Sequence, residues 1–496
     1  MATNNKYDRQ LRLWGAEGQA NLANAHVALI GASATGSELL KNVVLPGIGK
    51  FTIYDNKKIS QVDVENNFFV RKDDLVKDRA QIVCELVSCL NPEVKGEYYT
   101  SIDKFFEKKD DISSRYTLII CADTPPEICL KFADYCCIKN IPFIAVRSYG
   151  FIGSIRLQYK NHEIYDSKPD AIFWDLRISD PFPELEALVP ENLDNLPDNE
   201  HSRVPYVILL IMALRKAQAV NQFPKVPKTL KEKEFVKSKL LEMRRYPYEE
   251  NFQEALDNCY RIWSGNDLPE DTINALAHIQ QESQENRSVL SRCLISISKF
   301  MAKENRAPIS GAIPDMHSDT TSFIALQRAY HTAAQRDLKI IASFLINDQD
   351  ALSILPNITK NLRNIRIIST PEYKHFDPQA IFDEIIDFSS LAPELWSLAL
   401  YGADLFYAQF SRWPCNYSQD FEPLLSLLPT QIHEPFRTQI TTELIRAAGS
   451  SLHTTAAVIG GIASQEAIKI IANQFVPLNH SFIFDGIHGA AAVINV

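Results

Sequence analysis

No pair among the nine cysteines has the C-x-x-C spacing of a zinc site, and the set is odd in number and scattered. In a chain of this length that pattern excludes a disulfide framework and reads as free thiols in a reducing compartment. Positive charge is also in deficit. A formal net charge of -10 argues against a general nucleic-acid binder, whose affinity rests on lysine and arginine, and is compatible with a basic protein surface as partner. The opening Met1-Ala2-Thr3-Asn4-Asn5-Lys6 is polar and has none of the apolar core of a secretory signal. The longest uncharged stretch near the end, Ala447 to Gln465, is too rich in Ser, Thr, His and Gln to span a bilayer. These absences lead to the expectation of a soluble, intracellular protein. With 496 residues, 46% of them hydrophobic and 23% charged, the chain is globular and too long for one core.

The informative stretch runs from His26 to Leu40. Val27-Ala28-Leu29-Ile30 is an apolar strand, Gly31 ends it, and a helix begins soon after. About twenty residues on, as a nucleotide-binding βαβ unit requires, Phe51-Thr52-Ile53-Tyr54-Asp55 forms a second strand with an acid at its end. Gly31 and Gly36 hold the first and third positions of G-x-G-x-x-G, but Ser33 holds the second. The middle glycine lets backbone approach a pyrophosphate, so the fold signal is strong and the phosphate signal impaired.

Taken in order, Tyr7 to Gly15 reads as an amphipathic, mobile arm carrying Arg9 and Arg12. The segment 62–70 reads as a loop, and Asp78 to Leu90 as a helix stopped by Asn91-Pro92. Thr117 to Ala122 and Ile141 to Val146 are further buried strands with a helix from Glu127 to Lys139 between them, so residues 1–165 form a doubly wound α/β domain. Prolines 169, 181, 183, 190 and 197 then punctuate a change of rhythm. Helical patterns follow at 206–219, 230–245, 251–263, 275–300, 321–343 and 392–410, with a strand expected near Asn364 to Ile368. Residues 166–448 are therefore expected as a mainly helical insertion of two lobes. The tail, 449–496, has an apolar helix with Gly460-Gly461 and two strands, Ser481 to Asp485 and Ala490 to Val496. Too small to bury a core alone, it is expected to complete the first domain's sheet.

The run Tyr7-Asp8-Arg9-Gln10-Leu11-Arg12-Leu13-Trp14-Gly15, the glycine turn, Asn42 to Gly49, and Asp55 resemble the ubiquitin-activating superfamily. So do Ile313-Pro314-Asp315-Met316, His453-Thr454, Gly460-Gly461, Gln465-Glu466 and Ile468 to Ile471. Within it the chain is most similar to the regulatory subunits of heterodimeric neddylation activating enzymes, over nearly its whole length. The resemblance implies a discontinuous Rossmann-like adenylation domain with an insert like the catalytic-cysteine domain. It also implies a cytoplasmic and nuclear setting. Such enzymes activate the carboxyl terminus of a ubiquitin-like protein as an acyl-adenylate, then pass it to a cysteine thioester.

Several parts of that machinery are altered. Ser33 replaces a glycine, Asn67 is followed by Phe68-Phe69 where the family has Arg-Gln, and Arg79 aligns with a phosphate-contacting lysine. Asp123 falls near the family's magnesium aspartate without the Asn and Arg expected after it. Gly31, Ser33, Gly36, Asp55 and Arg79 are expected as vestigial positions retained for the fold. Cys259 and Cys293 lie on helical patterns and are expected to be structural thiols. No metal site is expected.

The resemblance thus implies a non-catalytic subunit with no cofactor of its own, ATP and Mg²⁺ being held by a catalytic partner subunit. The other implied partners are a Nedd-type ubiquitin-like protein and, transiently, a conjugating enzyme, with neither nucleic acid nor membrane. Arg9 is the one residue expected to act, in trans toward the partner's ATP, the alternative being a dimer salt bridge. Partner contacts are expected at Asp315, Met316, Phe323, Leu326, Gln327 and Arg328. Three other readings remain open: a self-sufficient adenylating enzyme, a nicotinamide-dependent oxidoreductase, and a scaffold without modifier contact.

Overall fold

The structure, a computed structural model, describes residues 6–107, 115–170, 172–220, 226–263, 266–281, 287–385 and 390–495. The opening residues 1–5 and the middle of the helix expected over 275–300 lie outside the described residues. The chain divides into two compact units, Met1–Ile164 with Ile368–Val496, and Tyr165–Ile367.

The first unit is built on an eight-stranded sheet. Its strands are β1 (His26–Ile30), β2 (Lys50–Tyr54), β3 (Lys95–Tyr99), β4 (Leu118–Ala122), β5 (Phe143–Tyr149), β6 (Ile152–Gln158), β7 (Ser481–Asp485) and β8 (Ala490–Ile494). Their order is β8-β7-β6-β5-β4-β1-β2-β3. The strands from β5 to β3 are parallel, and β6, β7 and β8 join antiparallel. Every residue of β1 and β4 is buried, which is why both read as unbroken apolar runs.

The helices that position the site are α1 (Asp8–Asn24), α2 (Ala34–Val44), α3 (Gln61–Asn66), α4 (Arg79–Ser88), α5 (Pro126–Lys139) and α6 (His453–Ala472). Helix α6 is long and apolar enough to cross a membrane, but here it is a core helix packed closely on α2. Gly460 sets that approach, because a Cβ there would lie 2.9 Å from both Glu38 Cβ and Leu39 N. The tail completes the sheet as expected, through β6, a strand that the sequence pattern did not mark.

Two expectations are corrected. The insertion ends at Ile367, not at residue 448. Helices Pro378–Glu384, Leu395–Phe410, Tyr417–Leu427 and Phe436–Ala447 close a core with Tyr149 and Ile152 of the sheet and Ile483 and Ile494 of the tail. Trp396 Nε1 donates to Asp485 Oδ2 at 2.9 Å in the same core. Apolar helices show that a face will be buried, not which sheet buries it. The arm is also less free than expected. It forms α1, kinked where Gly15 adopts φ +69°, and is tied down by Tyr7 Oη donating to Glu93 and by Gln474 Nε2 donating to the Trp14 carbonyl.

The second unit is helical and has two cores. One surrounds helix Tyr206–Val220, whose first nine residues are all buried and apolar on every side. The other gathers helices Val289–Glu304 and Gln349–Lys360. The strand expected near 364–368 is present as Arg366–Ile368.

The α2–α6 contact separates two neighbouring glycines. Gly460→Ala forces two backbones apart and should cost about 1–3 kcal/mol. Gly461→Ala meets no atom within 4 Å and should be neutral or stabilising through helix propensity. Thermal unfolding midpoints of the two variants check the contrast.

Candidate functional site

At the carboxyl ends of β1, β2 and β4 lies a cleft of about 440 Å³, bordered by Ser33, Lys57, Asn67, Arg79, Asp123 and Ser451 among others. This is where a doubly wound sheet places its ligand. Gly31 takes φ +92°, and a Cβ there would stand 2.4 Å from the Ala122 carbonyl oxygen. Gly36 is as constrained, since its Cβ would meet the Gly31 carbonyl oxygen at 2.5 Å. Both glycines are required by the fold whether or not anything binds.

Several polar groups of the cleft are occupied by one another. Ser33 Oγ accepts the Gly36 N–H at 3.2 Å and caps α2, so a side chain takes one of the amides that a phosphate would use. Asp55 is buried and accepts from Ala32 N–H at 2.8 Å, Lys57 N–H at 2.9 Å and Arg79 Nε at 2.7 Å. Arg79 reaches on to Asp63, donating from Nη1 to Oδ1 at 2.8 Å. Burial opposes charge on Arg79, yet Asp55 and Asp63 hold its guanidinium above the ordinary value. Burial likewise opposes charge on Asp63, but Arg79 and Ser60 hold its carboxyl below the usual range. Asp123 is also engaged: Oδ1 accepts the Ser148 N–H at 2.7 Å and Oδ2 accepts the Ser451 hydroxyl at 3.2 Å. Asn67 donates to Ser37 Oγ at 3.1 Å and steadies the segment that follows α3.

Asp63 and Ser451 are the residues that sequence reasoning missed. Asp63 lies on α3, where a loop was expected. Its signal was the capping box Ser60-Gln61-Val62-Asp63, in which the Ser60 and Asp63 side chains bond each other's backbone N–H.

The other expected residues are dispersed. Arg9 is exposed on the first turn of α1, outside the cleft, with no ion pair among the described residues. Cys259 and Cys293 are buried; burial pushes the Cys259 thiol up to about 11, and Cys293 Sγ lies 3.4 Å from the Ala351 carbonyl. Neither offers an accessible thiolate. The expected partner-contact set is split by its own helix, Thr320–Ala342. Leu326 and Met316 are buried, and Phe323 is partly buried against the same core. Asp315, Gln327 and Arg328 remain exposed.

The family model of ThiF matches residues 7–495. The chain belongs to the ThiF family. It is 34% identical to the NEDD8-activating enzyme E1 regulatory subunit of Danio rerio, over 99% of this chain and 98% of that one. The protein of the same name from Xenopus laevis shares 34% over the same proportions. The NEDD8-activating enzyme E1 regulatory subunit AXR1 of Arabidopsis thaliana shares 31% over 97% of this chain and 94% of its own. Among solved structures, Escherichia coli MccB with ATP overlaps 33% of this ThiF-family chain and 52% of that one, with 20% identity and a TM-score of 0.29.

The cleft makes a prediction about stability. Arg79→Ala leaves two carboxylates facing each other without their cation and should cost about 3–5 kcal/mol. Because the Asp63 pKa is depressed in the folded state, its contribution is present above the unfolded value near 4 and is lost as pH falls. Urea midpoints measured from neutral pH downward should fall on acidification, and fall less steeply in Asp63→Asn.

Proposed function

We propose that this chain is the regulatory, non-catalytic subunit of a heterodimeric enzyme that activates a NEDD8-type modifier for protein neddylation. The observation that carries this reading is the closed ion cluster of Asp55, Arg79 and Asp63 in the nucleotide cleft. An adenylating site must present a free acid to the ribose, free amides and a lysine to the phosphates, and a free carboxylate to Mg²⁺. Here Asp55, the Gly36 amide, Arg79 in place of the lysine, and Asp123 already bond to other groups of the chain, an arrangement that does not suit a nucleotide and its metal ion. End-to-end likeness to chains named regulatory subunits supplies the pathway.

The chemistry then belongs to the partner subunit, which holds ATP, Mg²⁺ and the thioester cysteine, and from which a conjugating enzyme takes the modifier. This chain contributes the assembled dimer and one side chain. Arg9 stands exposed and uncompensated at the start of an anchored helix, as a guanidinium meant for another molecule's phosphates must. Asp315, Gln327 and Arg328 supply polar contacts with the partner. Nine free cysteines support a reducing setting, cytoplasm and nucleus.

A self-sufficient adenylating enzyme would need Arg79 to release Asp55, which a buried ion pair opposes. A nicotinamide-dependent oxidoreductase would need the same acid for its ribose.

ATP–pyrophosphate exchange in the presence of a NEDD8-type modifier tests the proposal. The chain alone should give none, and the chain with a catalytic subunit should give robust exchange. Arg9→Ala should lower the rate on the order of 10²-fold with the dimer intact by gel filtration. Exchange by the chain alone overturns the proposal. Loss of the dimer in Arg9→Ala assigns that arginine to assembly.

A further inference from the structure

A second cavity in the first unit shares no lining residue with the cleft. It has a volume of about 80 Å³ and lies against the antiparallel pair β5 and β6. Register on that pair sets Arg156 opposite Ala145 and Ser154 opposite Arg147, so the two arginines are diagonal neighbours on one face. Both line the cavity, and Asp404, from helix Leu395–Phe410, is the one other charged residue among the described residues of its wall.

The charges do not balance. Arg147 Nη1 donates to Asp404 Oδ1 at 2.6 Å, while its Nη2 is buried and has no partner among the described residues. Arg156 Nε is buried and unpartnered too, and its Nη2 has only a long bond of 3.4 Å to the His375 carbonyl. The Arg156 guanidinium instead lies over Tyr373, 4.3 Å from the ring centre. Two cations thus share one carboxylate in the wall, and two donor nitrogens of charged groups are withheld from water, an arrangement that costs stability unless an acceptor fills it. The positive end of helix α5 adds to the field, since Pro126 at its first turn also lines the cavity. The rest of the wall includes Phe376, Ile381, Leu400 and Ile483.

We propose that this cavity binds a small organic carboxylate with an apolar body. One surplus positive charge matches a monoanion, whereas a phosphate dianion would bring an uncompensated charge into a low-dielectric site. Planar guanidinium donors suit the two coplanar oxygens of a carboxylate. Aromatic and aliphatic walls accept its body and exclude a bare inorganic ion.

Sodium propionate, small enough for a cavity of about 80 Å³, is the probe, titrated into the full chain and followed by saturation-transfer NMR and by the melting midpoint. Propionate should bind and raise the midpoint in proportion to the logarithm of its concentration above the dissociation constant. Propionamide, the same shape without the charge, should bind at least about tenfold more weakly, and Arg156→Met should weaken propionate by a similar factor. If the methionine variant does not fold, Arg156→Lys keeps the charge, loses the planar donor and should show an intermediate loss. Absence of propionate binding overturns the proposal. So does equal binding of propionamide, unchanged affinity in the arginine variants, or displacement of propionate by inorganic phosphate at lower concentration.

Discussion

The buried bridge from Arg79 to Asp55 and Asp63 governs how the first unit presents its nucleotide-type cleft. One guanidinium, placed where α4 begins, ties the end of β2 to helix α3. Each carboxylate pays for its burial only because that cation is there, and the cation only because of both acids. The charged groups that border the cleft are thereby engaged with one another. Had the position carried a lysine, a single flexible ammonium could not span both acids in fixed geometry, and one of them would have been free for a ribose or a metal ion.

The same economy runs through the surrounding loops. Ser33 caps the helix that a phosphate would have capped, and Asp123 is held between the backbone of Ser148 and the hydroxyl of Ser451. Internal donors and acceptors of this kind hold the shape of the cleft. They preserve the architecture on which a partner subunit can assemble, while the exposed arginine at the start of α1 stays available to a neighbour.

Much of the fold was legible. The apolar runs of β1 and β4, the glycine turn, the acid after β2 and the returning tail all have local signatures: period, length and backbone geometry. Strand β6 left little such trace, because its burial alternates only in part and it carries Arg156 on the face that the cavity claims. Of the site, the sequence marks Ser33 and Arg79 as departures from the family pattern and Asp55 as a retained acid, but the bonding of Arg79 to Asp55 and Asp63 was not foreseen. Met316 and Leu326, expected at a partner contact, are buried in the core, because a motif names residues without saying which of them the core takes.

The sequence by itself determined the ThiF-type frame, the impaired glycine loop and the helical character of the middle. These follow from neighbours along the chain, whose steric and apolar preferences act over a few residues. Only the tertiary structure decided that helices 378–447 pack with the sheet, that Asp63 meets Arg79, and that Arg147 and Arg156 converge beside Asp404. Those pairings join residues far apart in sequence, and their energies depend on burial and distance, which no local pattern encodes.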